Sequence, residues 1–138
     1  MMEITLGKQY KLDYYSGEFQ SGLTTWYNSV LDKTIDELSV ADVSRMLRQN
    51  LLRDVAIKRA VDLFLVDPYD GEMQDGDLLS LLVSYGAEVA ADGRAQILLA
   101  TIDKLEPEVA NFDWMSESSR MRFEDNLLLL RNLCFELL

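Results

Sequence analysis

Histidine is absent from this 138-residue chain, and that absence excludes the most. No Ser-His-Asp triad, imidazole base or histidine-ligated zinc site can be built without it. Carboxylate, lysine and cysteine chemistry stay open. Cysteine occurs once, at Cys134, so there is no internal disulfide framework. Cys134 sits among Leu130, Leu133, Phe135 and Leu137, surroundings that disfavour a thiolate, and it reads as a buried structural residue. Proline occurs twice, and no apolar run is long enough to cross a membrane. Met1–Thr5 has no basic region followed by an apolar one, so no signal peptide is expected and a cytoplasmic location is. Gly86 and Gly93 are isolated, and neither follows an expected strand, so there is no phosphate-binding loop.

What the chain has in excess is acid. Twenty-four Asp and Glu against thirteen Lys and Arg give a formal charge of -11. Such a charge argues against direct nucleic-acid binding, where the phosphate contribution would be repulsive. It suits a basic protein partner, and it also serves solubility alone. Apolar residues are 49% and charged residues 27% of the total, as in ordinary globular domains. The length suits one domain over residues 1–138.

The expected fold is all-α, a single compact bundle of about six helices. Residues 1–22 read as an irregular arm, with a short strand suggested by the alternation Ile4-Thr5-Leu6. Its aromatics Tyr10, Tyr14, Tyr15 and Phe19 are expected to pack on the core; the alternative is an exposed tyrosine cluster serving as a contact surface. A first helix spans about 24–33, with Trp26, Val30 and Leu31 on one face. Ser39 caps a second helix running to about Asn50, with Asp42 as the acidic partner of a capping box. Val40, Val43, Leu47 and Leu51 form its stripe. A third spans about 53–66, with Asp54, Lys58 and Asp62 as a solvated ion-paired face. Leu78 to Tyr85 is apolar nearly all round, which places it centrally, and Gly86 can end it. Ile97, Leu98, Ile102 and Leu105 mark a helix stopping at Glu106-Pro107. Ser116 caps the last, about 117–136. Its leucines are too many for one surface stripe, so it must be covered on several sides, as a central strut or in a dimer interface.

Between the third helix and the apolar one lies Asp67-Pro-Tyr-Asp-Gly-Glu-Met-Gln-Asp-Gly-Asp77, with five carboxylates. Asp67-Pro68 stops a helix. The two Asp-Gly pairs suit turns of positive φ, and Asp75 or Asp77 can cap the helix that starts at Leu78. Acids on a glycine-containing loop are calcium or magnesium chemistry, but the spacing fails the EF-hand. With Asp75-Gly76 at its fifth and sixth positions, Gly71 and Met73 fall on acidic ligand positions and Leu82 on the glutamate. No metal, cofactor or catalytic residue is therefore expected. Turn chemistry leaves Asp70 and Glu72 unexplained. Exposure and charge make Tyr69, Asp70, Glu72 and Asp75 the candidate contacts for a basic partner.

Two stretches carry a resemblance. Thr34-Ile-Asp-Glu-Leu-Ser-Val-Ala-Asp-Val-Ser-Arg-Met-Leu-Arg-Gln-Asn50 and the later Asp67–Leu79 turn resemble the immunity proteins of bacterial contact-dependent growth inhibition (CDI) systems, CdiI-type, over roughly residues 26 to 105. The resemblance implies a small cytoplasmic protein without catalytic activity. It would bind the toxin domain of a surface-displayed exoprotein, often a nuclease, and block its substrate surface. It names no contact residues. The free protein would be a monomer or homodimer. The alternative is a helical scaffold that self-associates through the leucine-rich last helix; a carboxylate-metal hydrolase ranks below both.

Overall fold

The computed structural model describes residues 4–18 and 21–138, and among these it is all-helical, with eight α-helices and two 3-10 turns. Leu6–Gln9 (α1) is a helical turn where alternation suggested a strand. The buried Leu6 donates its amide to Lys33 O at 2.8 Å. No strand among the described residues lies beside it to extend that single bond into a ladder, and the chain coils instead, Gln9 N–H returning to Thr5 O at 2.9 Å.

Residues 12–16 are irregular, as expected, but their tyrosines are not core. Tyr10, Tyr14 and Tyr15 are 37%, 59% and 39% exposed; Phe19 lies outside the described residues. Beyond the buried Leu6, polar bonds hold the arm. The Asn28 amide accepts from Tyr15 N at 2.7 Å and donates to Tyr15 O at 3.1 Å. Tyr27 donates to Asp13 O at 3.2 Å, and the Tyr14 hydroxyl donates to Asp32.

Gly22–Leu31 (α2) starts earlier than the apolar spacing predicts, because Ser21 and Thr24 form a reciprocal capping box, Thr24 N–H to Ser21 Oγ 3.2 Å and Ser21 N–H to Thr24 Oγ1 2.9 Å. After a 3-10 turn at Ile35–Glu37 comes Val40–Arg48 (α3), capped by Ser39 and Asp42 as predicted. Arg59 ties that 3-10 turn down by donating to the carbonyls of Asp36, 2.7 Å, and Leu38, 3.0 Å. Val40, Val43, Met46 and Leu47 are buried.

Helix α3 ends in a left-handed residue, Asn50, at φ 53°. Asn50 N–H reaches Leu47 O at 3.2 Å and Leu51 N–H reaches Met46 O at 2.8 Å, the paired bonds of a Schellman end. Leu52 is also left-handed, φ 47°. That conformation costs a leucine about 1–2 kcal/mol, and it compresses the link so that Arg53–Val66 (α4) folds straight back on α3. The bounds of α4 are those predicted, and Asp54, Lys58 and Asp62 line its exposed face.

Asp77–Ser84 (α5) is followed by Gly86–Ala90 (α6), Ala95–Leu105 (α7), a 3-10 turn at Glu106–Asn111 and Glu117–Glu136 (α8). The turns α1 and α6 make eight helices where six were expected. Gly86 opens α6 rather than closing α5: a Cβ there would stand 2.2 Å from Leu133 Cδ1, so its smallness admits α8. Pro107 does not stop the chain's coiling but sits in the first turn of the 3-10 segment, where a missing N–H costs nothing.

Helix α8 is the strut, packed along α5, α6 and α7 with Phe123, Leu127, Leu130 and Cys134 buried. Fully burying a side chain such as Phe123 contributes about 1.5–3 kcal/mol. Within one chain that cover stops short of Leu128 and Leu129, which are 57% and 50% exposed.

Candidate partner-binding surface

The acidic turn does what its composition predicts for the chain path: α4 ends at Val66, and α5 begins at Asp77. Two backbone bonds close it, Gly76 N–H to Tyr69 O at 2.7 Å and Leu78 N–H to Asp70 O at 3.0 Å. The two glycines serve different needs. Gly76 has φ +84° and is itself the N-cap, in place of the expected Asp75 or Asp77. Gly71 is needed for space, since a Cβ would lie 1.9 Å from Gln74 O. Asp77 instead turns its carboxylate back over the loop, accepting from Met73 N at 3.1 Å and Gln74 N at 2.8 Å.

Much of the turn's acid is spent internally. Asp77 pairs with Arg122 of α8 at 3.1 Å, and Glu72 with Arg48 of α3 at 3.3 Å. Asp67 accepts from Tyr69 N at 3.2 Å, and Asp70 from Gly71 N at 2.7 Å. Those two donors are neutral amides, so neither carboxylate is neutralised by its bond. Asp75 is exposed at the rim of a cavity of about 250 Å³ shared with Trp114, Met115 and Ser116.

Tyr69 stands differently from the three acids. It is half-buried, its ring stacked on Phe112 at 4.1 Å and on Phe123 at 5.2 Å, with Trp114 edge-on at 5.7 Å. Burial first, then the charges of Glu108 and Asp67, push its phenol pKa up, so it remains a neutral hydroxyl. Trp114 is fixed by an indole bond to Val109 O at 2.7 Å. The surface therefore joins Asp70, Glu72 and Asp75 to an aromatic cluster, with Met73 and Met115 standing out at 85% and 91% exposure. Aromatics and methionine are the residues enriched in interface cores. Phe112 and Trp114 were missed as site residues; their only signal was two aromatics in a short polar connection. Arg48 and Arg122 were missed because ion pairs across helices leave no spacing signature.

No three His, Cys, Asp or Glu residues among those described are grouped to hold a metal ion, and no described helix is long and apolar enough to cross a membrane. Cys134 is fully buried, and burial pushes its thiol pKa up.

The model of the family described as CDI immunity proteins matches residues 10–97. This chain belongs to that family. No individual curated protein matches it at a significant level. The family match begins at Tyr10, so it takes in the tyrosine arm that the motif resemblance left out, and it runs through the acidic turn into α7. Phe112, Trp114 and all of α8, with Phe123, lie beyond the matched residues.

Proposed function

We propose that this CDI immunity protein neutralises a cognate toxin domain, a nuclease, by covering the basic surface that the nuclease presents to its nucleic acid. Membership of the family carries the reading. The charge of -11 supports the electrostatic part, since a nucleic-acid-binding surface must be basic and an acidic inhibitor is steered to it. Asp70, Glu72 and Asp75, backed by Tyr69 and its aromatic neighbours, are the contacts at the acidic turn. The inhibitor itself performs no chemistry. The test is to mix the chain with the toxin domain encoded directly upstream, then measure affinity and residual nuclease activity. Nanomolar binding with loss of activity is expected. Absence of binding at any salt concentration sinks the reading.

A second reading has its own observation. Leu128, Leu129 and Phe135 of α8 are half exposed or more, as an interface between two copies would require. An apparent mass that rises with concentration would support self-association, and it is compatible with toxin binding elsewhere.

A further inference from the structure

The arm, α2 and the α3–α4 link enclose a groove of about 520 Å³ on the surface. Its walls are chiefly apolar and aromatic: Tyr14, Tyr15, Trp26, Tyr27, Leu23 and Leu51. Its polar contribution is Asp13, Thr24, Gln49 and Asn50, of which Asp13 offers a carboxylate and Gln49 and Asn50 amide oxygens, the Thr24 hydroxyl being engaged with Ser21; no lysine or arginine is among the described residues that line it. Asp32, outside the lining, accepts the Tyr14 hydroxyl.

Each wall is fixed by bonds that do not themselves fill the groove. Asn28 grips both backbone groups of Tyr15, and Tyr27 grips Asp13 O. Trp26 is held from below by its indole N–H to buried Asp42, 3.2 Å. Leu51 is set between two left-handed residues, Asn50 and Leu52. The chain thus holds Tyr14, Tyr15 and Tyr27 at the surface by polar bonds, beside Trp26, which packs partly on the core.

What fits is set by charge. A guanidinium stacks on aromatic faces and bonds carboxylates and amide oxygens through its fork. The chain shows this affinity on one of these rings: Arg45 lies over Trp26, 5.0 Å from the ring centre. We propose that the groove receives an arginine side chain from the toxin's basic surface, the guanidinium between the tyrosine rings and Asp13. This rests on the immunity reading for the identity of the partner. It adds a second point of attachment: Arg48, which holds Glu72 of the acidic turn, adjoins the groove residues Gln49 and Asn50 in the chain.

The experiment has two arms. In the first, the isotope-labelled protein is titrated with Nα-acetyl-arginine amide and with its uncharged isostere, Nα-acetyl-citrulline amide, following the Trp26 indole N–H and the Tyr15 amide by NMR. Movement with arginine and little with citrulline is expected. Equal movement, or none with either, overturns the proposal without reference to any toxin. In the second arm, Asp13→Lys and Tyr15→Ala are compared with the parent for affinity to the upstream-encoded toxin domain. Both side chains line the groove, while the arm's anchoring bonds use backbone atoms at these positions, so the fold is retained, as a thermal melt would verify. At least a tenfold loss of affinity for each is expected. A parent that binds while both variants bind equally well overturns the groove and leaves the immunity function standing. A parent that does not bind removes the partner and both readings with it.

Discussion

The acidic turn and the tyrosine groove differ in how they use polarity. The turn is rich in charge, but much of it is consumed in making the turn. Asp77 and Glu72 are paired with arginines of other helices, and Asp67 and Asp70 bond neighbouring amides. The groove is poor in charge, and it is walled by aromatic rings that backbone and indole bonds hold in place. Charge density along a sequence measures how much acid is present, whereas recognition depends on what is left after the fold has taken its share.

Asp42 gives the largest test of that difference. Its carboxylate accepts from Lys33 at 2.7 Å, Ser39 N at 3.1 Å and Trp26 at 3.2 Å. Asp42→Ala strands three donors behind the groove and should cost about 3 kcal/mol, read by denaturant unfolding. Burial alone would raise the Asp42 pKa; the bonds from Lys33, Ser39 and Trp26 outweigh it and hold the carboxyl below its ordinary range. A depressed folded pKa means this stability is fully present above the ordinary carboxylate range and is lost as pH falls through the folded value. Unfolding midpoints followed downward from pH 5 should fall less steeply for Asp42→Asn than for the parent.

Next in size is Gly71→Ala, which forces a methyl onto Gln74 O, a backbone atom that cannot swing aside. It should destabilise by about 1–3 kcal/mol. Gly86→Ala meets only the flexible end of Leu133 and should cost less. If the order of these two melts reversed, the turn would be less rigid than its bonding implies. On binding, replacing Asp70 and Glu72 together with lysine should weaken toxin affinity about tenfold, or about 1.4 kcal/mol, at low salt. Unchanged affinity at low salt would make the turn purely architectural. The smallest effect is expected of Tyr14→Phe. It removes a bond between exposed groups, so its melt should match the parent's while arginine amide still binds.

The helices were legible where several local signals agreed. The bounds of α4 and α8 come from a stop at Asp67-Pro68, a cap at Ser116 and consistent spacing, and the Ser39–Asp42 box forms as its spacing predicts. The arm was not legible, because tyrosines near glycines look like core residues until their neighbours are known. What keeps them outside is Asn28 and Tyr27 bonding to a backbone thirteen and fourteen residues away. The role of Gly86 was hidden for a similar reason, since the clash it avoids is with Leu133, far along the chain. At the candidate surface the acids were legible from composition, but their pairing with Arg48 and Arg122 was not.

The anchoring of Trp26 by Asp42 also bears on kinetics. A wall locked during folding has already lost its rotational freedom, so a partner's side chain entering the groove need not wait for it to order. Association should then be limited by encounter rather than by rearrangement, and if the toxin presents the basic surface proposed above, that encounter is fast and salt-sensitive. For a cell that must disarm a toxin before its first turnover, speed of capture matters as much as strength of hold.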